Sequence, residues 1–223
     1  MEEKQTIDFK KKGFNVRAYV KNFVGKGKVS KVKIEYIPVG EKIIISTHKP
    51  GLIIGRKGEK IQELTRILKE KFKLENPYIE IDEIKEPALD AQLMADEIAI
   101  KLEKMGAIKF KVIAYRTLQR IMDAGALGAE IRLNGKLPGA RARPWRFAQG
   151  YLKKTGDNAK VVDRAQSRAE TKPGTAGIKV SILSKEAKLL DRIEINDELI
   201  NKLKEQSENK KEKQVKKKTK MKK

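Results

Sequence analysis

The stretch Ile53-Ile54-Gly55-Arg56-Lys57-Gly58-Glu59-Lys60-Ile61 constrains the chain more than any other. Glycines bracket two cations, a short apolar turn precedes them, and an amphipathic run follows. Glycine at both ends of a tight inter-helix turn leaves the surface without Cβ atoms and allows backbone angles closed to other residues. A polyanion backbone can then approach the main-chain N–H groups that open the second helix, where the macrodipole also favours phosphate. Arg56 and Lys57 place full charges at the same point, with Lys60 just behind. A Walker phosphate loop is excluded, because no Gly-Lys-Ser/Thr closes the turn.

The turn resembles the GXXG loop of a KH domain, a module that clamps about four nucleotides of single strand. Its surroundings fit. Residues 9–25 read as a basic amphipathic helix with Phe14, Ala18, Tyr19 and Phe23 on the apolar face, packed on a sheet rather than on a membrane. Val32, Ile34 and Tyr36 alternate with Lys31, Lys33 and Glu35 as a half-buried strand, and Ile43-Ile44-Ile45 makes a second. Leu52 to Ile54 form a short helix. Beyond the turn, Ile61, Leu64, Ile67, Leu68 and Phe72 share one helical face, and Ile79 and Ile81 mark a third strand. Strands ahead of the helix pair define the type II arrangement. The only histidine, His48, has no evident catalytic partner and reads as a packing or phosphate-facing residue.

Pro87 opens a second region. Ala91, Met94, Ala95, Ile98, Leu102 and Met105 form a helical stripe with Gly106 as its C-cap. A further helix runs from about Ile108 to Ala124, with Phe110, Ile113, Thr117 and Ile121 inward. Residues 129–137 read as a strand with Ile131 and Leu133 buried and Arg132 outside; Asn134-Gly135 suits either a hairpin turn or a loop. From Arg132 to Lys154 there is no acidic residue, and Arg132, Lys136, Arg141, Arg143, Arg146, Lys153 and Lys154 interleave with Trp145, Phe147 and Tyr151. That pattern suits phosphate contact with base stacking, or else buried aromatics under exposed cations. Strands follow at 161–170 and 178–183, with a short one at 192–195. From about Asn201 the chain is Lys-rich and nearly free of apolar residues, the composition of a disordered basic tail.

The expected fold class is therefore α/β (α+β): a type II KH domain over 9–86, a C-terminal domain of two helices on a mainly antiparallel sheet over 87–195, and a basic tail over 196–223. A net charge of +22 across 223 residues repels itself unless a polyanion neutralises it, and nucleic acid is the natural one. No apolar run reaches the ~18–20 residues that span a bilayer, so no membrane partner is expected. The first residues lack the apolar core of a signal peptide, and the absence of cysteine removes disulfides and thiolate metal sites.

Four segments carry a closer resemblance, to the small-subunit ribosomal protein three family, in its archaeal and eukaryotic branch. They are Pro50 to Gly58, Pro87 to Asp96, Gly128 to Leu137, and Ala176 to Val180, in family order. The stretch Arg146-Phe147 through Gly150-Tyr151-Leu152, Lys154 and Gly156 points to that branch. The resemblance implies a cytoplasmic, ribosomal protein without enzyme activity or cofactor. Its implied partners are rRNA of the small-subunit head, neighbouring head proteins, and mRNA where it enters the subunit. It also implies that Lys111 and Arg116 face incoming mRNA, although Val112 stands where a second adjacent cation is common. A free-standing KH regulator is the alternative. A nuclease is disfavoured, because Glu80, Asp82, Glu83 and Glu86 read as solvated charge around a strand end.

The charge makes a first prediction. RNA affinity should fall steeply with salt, by close to one log–log unit per neutralised phosphate, somewhat less for single strands. Filter binding across a salt series measures the slope, and a flat line contradicts the polyanion reading.

Overall fold

The computed structural model describes residues 2–38, 40–139, 141–187 and 189. The expected tail and the short strand at 192–195 lie outside them. The N-terminal elements run α1 (Glu2–Val24), β1 (Val29–Ile37), β2 (Gly40–Thr47), α2 (Pro50–Ile54), α3 (Glu59–Phe72) and β3 (Tyr78–Glu83). β1 pairs antiparallel with β2, and β2 pairs parallel with β3 across the α2–α3 crossover, giving the order β1-β2-β3. This is the type II order expected.

Strand parity and helical period build the first core. Ile43 and Ile45 pair with Ile79 and Ile81, and they meet Val32 of β1, Ile53 of α2, and Leu64 and Leu68 of α3. α1 covers them with Val16 and Val20, which are 2% and 0% exposed. This corrects the expected face of α1, since Phe14 is 68% exposed. Two residues advance a helix by about 200°, so burying Val16 turns Phe14 outward. Tyr19 and Phe23 border the buried stripe, and the Tyr19 ring lies 5.5 Å from that of Phe72.

The second group comprises α4 (Ala91–Met105), α5 (Phe110–Asp123), β4 (Gly128–Gly135), β5 (Arg143–Gly150), β6 (Asp163–Thr171) and β7 (Gly174–Leu183). The four strands are antiparallel in the order β5-β4-β7-β6, with both helices on one face. Asp90 caps α4, accepting from the Leu93 N–H at 2.9 Å, and the Gly106 N–H closes its end on the Leu102 carbonyl at 3.0 Å. Ile98, Leu102, Phe110 and Ile121 pack against Ile131, Leu133, Ile178 and Val180. Met105, expected in the stripe, is 46% exposed.

The sequence reading assigns no element to the acid-free run beyond residue 137. It returns as an edge strand, β5, with Arg146 opposite Arg132 and Pro144 opposite Asn134. Pro144 is tolerated because an edge strand has one free side for the missing N–H. Asn134-Gly135 accordingly lies inside the ladder, and the connection is made by the residues after it.

A polar seam joins the two halves. The Gly27 N–H donates to Asp96 of α4 at 3.2 Å, and Asp96 is only 7% exposed. Lys26 reaches both Glu103 and the Arg168 carbonyl, Ser30 donates to Asp90, and Lys31 pairs with Asp163. Asp163 also accepts from the Ala91 N–H.

Backbone approach is closest at Gly128, where a Cβ would stand 2.1 Å from the Tyr151 carbonyl oxygen. Gly128→Ala should therefore cost about 1–3 kcal/mol, as overpacking does. Gly51→Ala, which meets no atom within 4 Å, should be neutral or gain up to about 1 kcal/mol of helix propensity. Urea unfolding of the two variants makes the comparison.

Candidate nucleic-acid interface

The glycine turn is built by three consecutive backbone choices. α2 stops at Ile54, and the Gly55 N–H donates back to the Gly51 carbonyl at 3.0 Å. Gly55 takes φ 73°, ψ −176°, and a Cβ there would stand 2.9 Å from the Lys60 stem. Lys57 then adopts φ 52° and Gly58 φ 80°, both left-handed, before α3 opens at Glu59. A left-handed lysine is unfavourable by itself, so the glycines on either side carry the turn that its side chain crowns. Arg56 and Lys57 are exposed and form no ion pair among the described residues. Leu52 and Ile54 stand exposed on the preceding turn, while Ile53 anchors it in the core.

The remaining candidates fall into separate places. Lys111 and Arg116 are exposed on α5. The Lys111 ammonium lies 4.9 Å from the Trp145 ring centroid, a cation–π contact. Val112 is 46% exposed between them. Lys136, Arg141 and Arg143 are exposed around the β4–β5 connection. Arg132, Arg146 and Lys154 gather instead on the helix-free face of the sheet, and Lys153 adjoins them half-buried.

That gathering has a centre that the sequence reading passed over. Glu130, two residues before the acid-free run, is buried to 4% side-chain exposure. One carboxylate oxygen takes Arg132 and also Arg146 at 3.0 Å; the other takes Lys154 at 2.8 Å. Burial works to raise its pKa, but the bonds from Lys154 and Arg132 and their charges prevail and hold it at about 2. The run is acid-free in sequence yet not in space. Its signal was available, since Glu130 shares strand parity with Arg132 and so must share its face.

The aromatics resolve toward the core. Phe147 is 6% exposed, and Trp145 packs edge-on against Phe110 at 5.1 Å between centroids. Tyr151 is 53% exposed. His48 is partly buried, and burial first, then Lys49, holds its pKa below the usual histidine value against the pull of Glu97. In the acidic group around β3, Glu80 pairs with Lys42 and Asp82 accepts from Ser46 at 3.1 Å. Among the described residues no cluster of His, Cys, Asp or Glu could hold a metal ion.

A type II fold that presents an exposed, cation-tipped glycine turn is that of a KH-class RNA-binding protein. Residues 15–89 match the KH domain family, and residues 98–182 match the family described as ribosomal protein S3, C-terminal domain. The small ribosomal subunit protein uS3 of Methanocaldococcus jannaschii is 39% identical over 181 residues, covering 81% of this chain and 86% of the relative. That of Methanosphaera stadtmanae is 35% identical over 194 residues, 85% of this chain and 76% of the relative. The Natronomonas pharaonis protein is 40% identical over 169 residues, 75% of this chain but 55% of the longer relative. The chain belongs to the uS3 family.

Glu130 supplies a prediction with a sign. Its folded pKa is depressed, so its contribution is present above the usual carboxylate range and is lost as pH falls toward 2. Glu130→Gln should cost about 1–2 kcal/mol near neutrality, because three half-exposed cations then converge without an anion and water screens part of their repulsion. Urea unfolding of wild type and variant should differ by a constant amount down to about pH 5 and converge below it.

Proposed function

We propose that this protein is a structural constituent of the small ribosomal subunit that binds rRNA in the head and lies beside the channel where mRNA enters. Family membership supports the ribosomal role, and the relatives' shared name carries no enzymatic activity. The observation that carries RNA contact is the exposed turn Gly55-Arg56-Lys57-Gly58, whose cations have no carboxylate partner among the described residues. Lys60 stands behind it, and Leu52 and Ile54 offer an apolar ledge on which unpaired bases can rest. Two separate hydrophobic cores support a division into a KH domain over 9–86 and a second domain over 87–195.

The second half of the reading rests on Lys136, Arg141, Arg143, Lys153 and the exposed α5 pair, Lys111 and Arg116. Val112 narrows the mRNA-facing role to those two cations. Partners are then rRNA, neighbouring head proteins and mRNA, in the cytoplasm and without a cofactor; no described helix is long and apolar enough to cross a membrane.

Two measurements on the full-length chain test this. Arg56→Asp with Lys57→Asp places anions at a helix start, which the dipole tolerates. Folding should survive while affinity for a labelled single-stranded U12 oligoribonucleotide drops by about tenfold or more, as loss of two phosphate contacts requires. Unchanged binding reduces the turn to a helix connector. Wild-type protein should also sediment with the small subunit through a high-salt cushion. Recovery only as a free species would instead favour the free-standing regulator.

A further inference from the structure

We propose that the helix-free face of the four-stranded sheet is a second RNA surface, one that binds the phosphate backbone of double-stranded RNA. The inference rests on the RNA-binding reading above and assigns this face a substrate class of its own.

The pairing register lays the face out in rows. Arg146, Arg132 and Lys179 stand side by side on β5, β4 and β7, and Gln166 of β6 completes the row. The next row holds Glu130, Ser181 and Arg164, and the row on the other side ends in Arg168. Neighbouring strands lie about 4.8 Å apart, so this is a line of three like charges at close quarters. Like charges directly opposite one another destabilise a sheet. Glu130 neutralises part of the row through Arg132 and Arg146, and Lys154 covers its remaining oxygen. Lys179 and Arg164 have no carboxylate partner among the described residues, and both are exposed. A row that repels itself in the free protein is stabilised when a polyanion arrives.

Its shape and chemistry select the polyanion. A recess of about 300 Å³ opens on this face, lined by Arg132, Lys154, Arg164 and Lys179, with Gln166 and Ser181 as neutral hydrogen-bonding groups. Arginine forks match phosphate oxygens in pairs. Glu130 does not repel the ligand, because its charge is already turned onto three cations.

None of the side chains that the register places on this face is aromatic. Trp145 and Phe147 belong to the opposite parity and pack toward Phe110. Single-strand surfaces need aromatic platforms for base stacking. A cationic, ring-free face instead suits an A-form duplex, which proteins grip through backbone and 2′-hydroxyl groups.

The test uses the full chain and two labelled probes, a 20-base-pair RNA duplex and the U12 single strand. Arg164→Glu with Lys179→Glu should weaken duplex binding by about tenfold or more and flatten its salt slope by about two units. U12 binding should stay within about twofold, since loss of sheet contacts leaves the glycine turn intact. Lys10→Glu with Lys12→Glu, both exposed on α1, makes the same change in net charge and should leave both probes bound. Circular dichroism confirms that each variant folds.

The proposal is overturned if the sheet variant keeps its duplex affinity, or if the α1 variant loses as much. It is also overturned if polyglutamate of matched charge displaces the duplex as well as unlabelled duplex does, which would assign the face to an acidic protein. Arg56→Asp with Lys57→Asp should spare the duplex. If that variant also spares U12, the reading of the glycine turn fails while the sheet surface stands.

Discussion

Burying a carboxylate carries a desolvation penalty that no single surface cation repays, and the open sheet face is arranged around meeting that penalty at Glu130. Three cations from two strands and the segment after them turn inward to it, and their hydrogen bonds outweigh the effect of burial on its ionisation. The arrangement ties three long side chains to one carboxylate. It also lets β5, which carries a proline and whose Arg146 faces Arg132 directly, hold its place at the edge of the sheet. Without the carboxylate, that register would bring like charges together with nothing between them.

The seam between the halves follows a similar logic, again with carboxylates as the acceptors. There the acids belong to the second half, on or beside α4 and at the start of β6, while the donors come from the segment linking α1 to β1 and from the first residues of β1. Asp96 takes a backbone N–H rather than a charged side chain, so its partner is fixed by chain geometry. A Cβ on Gly27 would meet Ile100 at 2.9 Å, and the residue's φ of 77° is itself left-handed. The Gly25-Lys26-Gly27-Lys28 segment that follows α1 is thus also a joint through which the N-terminal sheet is attached.

Most of the architecture was legible because period and parity carry it. Ile43 and Ile45 against Ile79 and Ile81, or Leu64 with Leu68, declare their faces without help from distant sequence. The type II order, the two helices of the second half and the antiparallel sheet followed. What was not legible depended on choices between near-equal alternatives. α1 offers two apolar stripes, and only docking onto the sheet decides that Val16 and Val20 enter while Phe14 stays out. β5 was obscured by Pro144 and by its density of arginine, features that an edge strand accepts and a central one does not. The cations of the second half were visible singly, but their grouping was not. Reading them as one run joined Arg141 and Arg143 to Arg146, which strand pairing separates, and left out Arg164 and Lys179, which pairing brings alongside.

The polar seam has a consequence for how two weak grips would add. When a flexible tether joins two binding surfaces, the second contact forms at an effective concentration set by the tether's wandering, typically in the millimolar range for short flexible linkers. Here Gly27, Ser30 and Lys31 are tied to α4, its cap and β6, so the glycine turn and the sheet face are carried on a jointed frame rather than on a loose string. Such a frame acts as a ruler. If both proposed surfaces bind, an RNA whose single strand and duplex are spaced to match would gain avidity from both contacts, and one with any other spacing would be held by one alone.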